Sequence, residues 1–244
     1  MVEIGQLDMS NPEHLEPMQD APSKPTKEQN RTSMWFIGVF LIGIFLVLFL
    51  LINASNDPEK EIRTLDDLFL AVIDGTVSEE RGYVYNGYVF AKDDQDTWFT
   101  RLQVENTIIE IPLHFTPRDL QQVDDIGLLN SSFAQKDIYI TFEPNSTQMQ
   151  YIALSAAELS LNLAKGINAR PIASCMYQDN VSCIDRPIIT CDDAVNKSVI
   201  AIQIDELSPE GRVVRDGTCV TLSGDEFGLL KAVDLFLLKW YGII

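Results

Sequence analysis

The longest apolar stretch of the chain, MWFIGVFLIGIFLVLFLLI, runs from Met34 to Ile52 without a charged or strongly polar residue. As a helix it would measure about 28 Å, close to the hydrocarbon thickness of a bilayer. A buried core helix normally keeps a polar stripe, and a cleaved signal peptide has a shorter apolar region nearer the terminus. The pattern therefore predicts one transmembrane helix over residues 34–53, an uncleaved signal anchor in contact with the lipid bilayer.

Residues 1–33 are rich in proline and charge and lack apolar periodicity, which predicts a disordered tail. The cations near the apolar run are Lys24, Lys27 and Arg31 before it and Lys60 and Arg63 after it. This small excess on the N-terminal side favours a cytoplasmic tail and an extracytoplasmic C-terminal domain.

A short juxtamembrane helix is predicted within residues 54–76. TLDDLFLAVIDG offers Thr64 as N-cap, Asp67 in the capping-box position and Gly75 as terminator. Its predicted apolar face comprises Leu65, Leu68, Phe69, Val72 and Ile73. We expect this face to pack on the domain that follows.

Residues 77–130 carry strand patterns. In YVYNGYVF, the pair Asn86-Gly87 lies between aromatic and β-branched residues, which indicates a hairpin or, alternatively, one strand with a glycine bulge. TWFTRLQV and IIEIPLH continue the alternation, so we predict an antiparallel meander. Thr116 followed by Pro117 predicts the start of a short helix.

Residues 131–244 combine strands with two longer helices. DIYITF, a helix from Gln148 to Lys165 and ARPIASC form a predicted βαβ unit with parallel strands. SVIAIQI fits a central strand buried on both faces, and RVVRDGTCVTLS fits a hairpin through Asp216-Gly217. Ser223 and Glu226 predict a capping box for a final helix with an apolar face.

Together these elements predict an α/β domain of mixed α+β character over residues 77–244. It would contain a β-meander part (77–130) and a βαβ-containing mixed sheet (131–244), which we expect to be continuous with the meander. The net charge of −18 is the wrong sign for binding phosphate backbones, so we predict no nucleic-acid partner.

Half of the twelve asparagines lie in N-x-S/T sequons, more than chance would give. Two of them, Asn30 and Asn53, fall on the cytoplasmic side or beside the bilayer. The predicted glycan sites are Asn130, Asn145, Asn180 and Asn196. Turns are also rich in Asn, Ser and Thr, which is a purely structural alternative.

The cysteines Cys175, Cys183, Cys191 and Cys219 all lie in the last seventy residues. No CxxC pair is present, which weighs against a zinc site or a thioredoxin-like centre. Four cysteines allow three pairings; we favour Cys175 with Cys183 and Cys191 with Cys219. Four buried free thiols are the alternative.

Other candidate chemistry is sparse. Asp93, Asp94 and Asp96 lack the EF-hand pattern and favour a solvated hairpin turn. Asp192 and Asp193 favour a turn at a strand end over half of a carboxylate site, and His114 favours a hydrogen-bonded strand residue over a catalytic base. No GxSxG, HExxH, P-loop or GxGxxG is present, so we predict no catalytic residue, metal ligand or cofactor.

Several stretches together resemble uncharacterised single-pass membrane proteins of small-genome archaea. They are the N-terminal anchor, YNGYVF with TWFTRL, the region from PIASC to PIITCDD, and the closing AVDLFLLKWYGII. The resemblance implies an archaeal cell surface and no particular activity. The expected function is a noncatalytic, membrane-anchored interaction domain or envelope-assembly subunit with protein partners; the alternatives are a thiol-disulfide exchange enzyme and a pilin-like filament subunit.

Overall fold

The computed structural model describes residues 29–55, 62–104, 106–179 and 181–244; within the first range, side chains are described from 35 to 51. The chain divides into two compact units, Met1–Lys60 and Glu61–Ile244, which are treated separately below. Most of the predicted disordered tail and the sequon residue Asn180 lie outside the described residues.

The described residues of the first unit form one helix, α1 (Gln29–Ser55). Its described side chains from Trp35 to Leu51 are almost all apolar, and nearly all of them are exposed. No helix within the described residues is long and apolar enough to cross a membrane.

The second unit begins with α2 (Leu65–Ile73), which has the predicted capping box. Thr64 Oγ1 accepts a hydrogen bond from the backbone N–H of Asp67 at 3.1 Å, and the Asp67 carboxylate accepts one from the N–H of Thr64 at 3.1 Å. Gly75 follows in the left-handed region at φ +68°, as a helix terminator does. The apolar face is slightly rotated from the predicted one, because Ala71 is buried and Ile73 is exposed.

An antiparallel sheet follows α2, with the strand order β1-β2-β3-β4. Its strands are β1 (Gly82–Tyr85), β2 (Tyr88–Lys92), β3 (Trp98–Val104) and β4 (Thr107–Leu113). Asn86 and Gly87 both have positive φ, 48° and 83°, as a two-residue hairpin turn requires. The predicted meander and its first hairpin are therefore confirmed, and the single bulged strand is wrong. The buried side chains of α2 pack on this sheet.

The remaining strands form a separate six-stranded mixed sheet with the order β5-β9-β10-β8-β6-β7. They are β5 (Asp124–Leu129), β6 (Asp137–Phe142), β7 (Arg170–Cys175), β8 (Ser198–Ile204), β9 (Arg212–Gly217) and β10 (Cys219–Gly224). The expectation of one sheet continuous with the meander is wrong. The parallel pairing of β6 with β7, the central position of β8 and the antiparallel β9–β10 hairpin are confirmed.

Two helices cover one face of this sheet, α3 (Met149–Gly166) and α4 (Glu226–Trp240). They pack against each other, and α3 also contacts β4, so the helices lie between the two sheets. The main hydrophobic core joins side chains from both sheets and both helices. Two short 3₁₀ helices, Ser131–Phe133 and Cys191–Asn196, complete the described elements.

Three local predictions need correction. After Thr116 the chain makes turns instead of a helix, and the Asp119 carboxylate accepts hydrogen bonds from Thr116 N and Oγ1. Ser223 does not cap α4, because β10 continues to Gly224 and Asp225 occupies the N-cap position. Strand β5, within the segment assigned to the meander, was missed and pairs in parallel with β9.

Candidate functional site

Strand β4 brings His114 to the helix layer. Ile111 and Leu113 alternate inward and are buried, and His114 is the first residue after the strand, with 41% of its side chain exposed. At this point the backbone N–H groups of His114 and Phe115 have no strand partner. Both donate to Asp234 Oδ2 on α4, at 3.0 and 2.7 Å.

Helix α3 supplies a second acid. Glu158 lies on the same face as Ser155 and Asn162, one turn away on either side, and all three are buried. Its Oε2 atom is 2.7 Å from Nδ1 of His114. Asn162 Nδ2 donates to the carbonyl oxygen of Glu158 at 2.9 Å, and Tyr241 donates to the carbonyl oxygen of Asn162 at 2.9 Å. These bonds satisfy backbone carbonyl oxygens of the buried polar strip, and the Glu158 side chain itself is held by its contact with His114 Nδ1.

The ligand atoms of His114, Glu158 and Asp234 all lie within 4.8 Å of one another. Among the described residues, these three form the group of histidine and acidic side chains that could hold a metal ion. We call them the His-Glu-Asp cluster. Each residue comes from a different element, so the cluster exists only in the folded domain.

Burial changes the acidity of both carboxyl groups. Desolvation raises the pKa of Glu158 to about 7, partly opposed by hydrogen bonding. Desolvation raises the pKa of Asp234 well above its usual range, and the negative charge of Glu158 adds to this effect. The cluster therefore holds at least one proton near neutral pH unless another cation takes its place.

Sequence reasoning missed this cluster. His114 was interpreted as a hydrogen-bonded strand residue, and it does make a hydrogen bond, but its partner is a buried acid. The available signal was Asp234, which lies four residues after Leu230 and three before Leu237, inside the apolar face of α4. A charged residue in such a position signals a buried polar contact.

The four cysteines form two disulfides, Cys175–Cys183 and Cys191–Cys219, and none is free. The predicted disulfide bonding is thus confirmed, with the favoured pairing. Cys175 and Cys183 are completely buried in the main core. Cys191 is exposed, while its partner Cys219 packs in a smaller apolar cluster with Ile189, Ala194 and Val199.

The acidic turn between β2 and β3 is a solvated hairpin turn, as predicted. Asp93 Oδ1 accepts from two backbone N–H groups of the turn at 2.9 Å. Asp94 pairs with Arg81 at 2.9 Å, and Asp96 pairs with Lys92 at 2.8 Å.

Asp193 belongs to a short 3₁₀ helix after β7, in keeping with the predicted turn. Its carboxylate accepts hydrogen bonds from Thr190 N at 2.8 Å and from Thr190 Oγ1 at 3.1 Å. This is a capping interaction, so the Asp193 carboxylate forms its hydrogen bonds within its own turn.

The sequons Asn130, Asn145 and Asn196 have exposed side chains in the structure. Asn130 caps the 3₁₀ helix Ser131–Phe133, with its Oδ1 accepting from the N–H of Ser132 at 2.8 Å. This cap leaves the amide nitrogen, the atom to which a glycan would attach, on the opposite branch of the side chain.

Comparison of the chain with protein-family models, with curated proteins and with solved structures finds no match. Function must therefore be argued from the chain's own residues and their geometry.

Proposed function

We propose that this chain is a single-pass membrane protein whose disulfide-bonded domain lies outside the cytoplasm and acts through protein contacts, as an interaction module or envelope-assembly subunit. The observation that carries the proposal is that all four cysteines are paired. Disulfides persist in oxidising compartments and are rare where glutathione and thioredoxin keep thiols reduced. The resemblance to archaeal single-pass proteins points to the same cell-surface location.

The anchor is the apolar run within α1. In the sequence this run extends from Met34 to Ile52, nineteen residues. Apolar side chains around the whole helix circumference are unfavourable in water and favourable in lipid. This supports insertion of residues 34–53 into a bilayer.

A noncatalytic role is supported by the burial of one disulfide and by the sequence spacing of the other. Thiol-disulfide exchange requires an accessible sulfur attacked by a thiolate. Cys175 and Cys183 are completely buried, and the exposed Cys191 is joined to Cys219, 28 residues away, so neither pair resembles an exchange centre. Both disulfides fit a structural role.

Exposed apolar side chains supply a contact surface. Val181 is 82% and Ile184 is 63% exposed, and they lie in or beside the loop closed by Cys175–Cys183. Isolated apolar side chains are common on protein surfaces, but these two lie on either side of the cross-linked Cys183 and present an exposed apolar projection. Such a projection favours binding to another protein with little loss of conformational entropy.

Topology is tested with single reporter cysteines, because no native thiol is free. Leu207→Cys places a thiol at a 92% exposed position of the domain, and Ser23→Cys places one in the tail. Intact cells are treated with a membrane-impermeant maleimide, before and after permeabilisation. We expect Leu207→Cys to react in intact cells and Ser23→Cys to react only after permeabilisation.

The opposite labelling pattern would invert the orientation, and labelling of neither site before permeabilisation would refute the extracytoplasmic location. Glycan mass at the predicted asparagines provides a second readout. Asn30 in the tail is the matched control, since it carries the same sequon and should remain unmodified.

A further inference from the structure

When both acids are ionised, the His-Glu-Asp cluster contains more negative charge than the protein compensates. If both acids are ionised and the imidazole is neutral, the cluster carries a charge of about −2 in a buried setting. Burying an unpaired carboxylate costs several kcal/mol. No cation from a lysine or arginine is bonded to either acid among the described contacts.

Two carboxylate oxygens are the clearest sign of a missing partner. In the part of the chain that the structure describes, Glu158 Oε1 and Asp234 Oδ1 are buried and have no hydrogen-bond donor. The opposite oxygens, Glu158 Oε2 and Asp234 Oδ2, are bonded to His114 Nδ1 and to two backbone N–H groups. Both side chains are therefore held in place while one oxygen of each is left over. Buried polar atoms of native proteins are rarely unpaired.

A proton or a metal ion would satisfy these oxygens in different ways. One proton shared by the two acids would join the two leftover oxygens while the imidazole kept its hydrogen bond to Glu158 Oε2, but one negative charge would stay buried beside a neutral imidazole. A divalent cation would bind both acids and the imidazole together and would cancel the charge. The combination of one imidazole with two carboxylates suits a transition metal better than Mg²⁺ or Ca²⁺, which take oxygen ligands alone.

We propose that His114, Glu158 and Asp234 bind a divalent transition-metal ion, for which Zn²⁺ is the experimental probe. This metal site is separate from the protein-contact role proposed above. Because 41% of the His114 side chain is exposed, a water molecule would have access to the ion and would complete a four-coordinate site. The inference does not depend on the membrane anchor, since all three ligands lie in the second unit.

The movement required between His114 and Glu158 is small. Zinc bonds of about 2.0–2.2 Å in a tetrahedral site separate neighbouring ligand atoms by roughly 3.3 Å. His114 Nδ1 and Glu158 Oε2 are 2.7 Å apart, so they must separate by roughly 0.6 Å. Since the His114 side chain is 41% exposed and Asp234 is held by two backbone hydrogen bonds, we expect the imidazole ring to make this adjustment.

The test uses the full chain in detergent, stripped with a chelator and dialysed against Zn²⁺. We expect one bound zinc per chain and a higher melting temperature with zinc than without it. His114→Ala and Glu158→Gln should each lower the affinity at least about tenfold, since even changes to residues around the ligands have effects of this size. Both variants should abolish the zinc-dependent rise in melting temperature.

Controls separate the cluster from other acidic and imidazole groups. His14→Ala removes the only other histidine, and Asp94→Asn with Asp96→Asn weakens the acidic turn; both should bind zinc like the parent. Loss of the His114 side chain also removes its hydrogen bond to the buried Glu158, so the melting temperature of each variant with zinc is compared with its own value in chelator. His114→Gln gives the same comparison with a closer replacement. The proposal would be overturned if the parent chain bound no zinc, or if the loss of His114 left zinc binding unaltered.

Discussion

Loss of the Cys191–Cys219 disulfide should destabilise the domain strongly. The variant Cys191→Ser removes the cross-link at its exposed end and leaves the sulfur of Cys219 in its apolar cluster. The two cysteines are 28 residues apart, with Cα atoms at 5.5 Å. For a closed loop of this length, chain entropy predicts a contribution of about 3.6 kcal/mol to the free energy of unfolding.

Urea unfolding of the full chain in a mild detergent measures this contribution. Trp98 and Trp240 belong to the domain and report its unfolding by fluorescence. With a slope of about 2–3 kcal/mol per molar urea, we expect the midpoint to fall by roughly 1–2 M.

The matched control is Asp192→Ser, an exposed substitution one residue away that retains the disulfide. It should change the free energy of unfolding by no more than about 0.5 kcal/mol. If Cys191→Ser lowered the free energy of unfolding by less than about 1 kcal/mol, or by no more than the control, the disulfide would not stabilise the domain by restricting the unfolded chain.

Three further predictions address other parts of the chain. Burial raises the pKa of Glu158 from 4.5 to about 7, so the folded state binds this proton more tightly than the unfolded chain does. In chelator, the contribution of Glu158 to the free energy of unfolding should be largest below about pH 4.5 and should fall by roughly 3 kcal/mol as the pH rises to 7. Comparison of urea midpoints across this range should show that Glu158→Gln removes this loss. Gly211→Ala should lower the free energy of unfolding by about 3 kcal/mol, because the backbone φ at this position is +88° and a Cβ atom would lie 2.1 Å from a carbonyl oxygen of α4. The control Gly87→Ala has a similar φ of +83° but open space around the added Cβ atom, so it should cost only about 1 kcal/mol in the same urea assay. Replacing both Ile42 and Ile44 by Arg should make the free energy of membrane insertion less favourable by about 5–7 kcal/mol, so alkaline extraction should release the chain from membranes. If the variant stayed in the membrane fraction, the proposed anchor would be wrong.

Most of the domain's elements could be predicted because their signals are local. Asn86-Gly87 fixes a hairpin within eight residues, and the 3.6-residue period of α3 and α4 is visible in the sequence. Strand β5 could not be found in this way, since VDDIGLL has neither alternation nor a continuous apolar run. Its pairing with β9 is supported by ion pairs of Asp124 with Arg212 and of Asp125 with Arg215, about ninety positions apart in the chain.

The end of β10 shows how tertiary structure overrides a local motif. Ser223 and Glu226 have the spacing of a capping box, yet Ser223 is paired with Gln203 of β8 in the sheet. The N–H of Glu226 is instead satisfied by the side chain of Gln148, which precedes α3, at 2.9 Å. The sheet extends through the expected cap because the strand pairing gains more hydrogen bonds than the cap would provide.

The buried acid on α4 is costly for a domain that needs only to be stable. A leucine at position 234 would complete the apolar face, and replacing buried charged groups by apolar ones is often neutral or stabilising. The two backbone hydrogen bonds to Asp234 Oδ2, about 1.5–3 kcal/mol each, repay part of the desolvation cost. They do nothing for Oδ1, which is buried without a hydrogen-bond partner, as is Oε1 of Glu158. Stability alone therefore accounts for the bonded oxygen of each carboxylate, and the cation proposed beside His114 would account for the other oxygen.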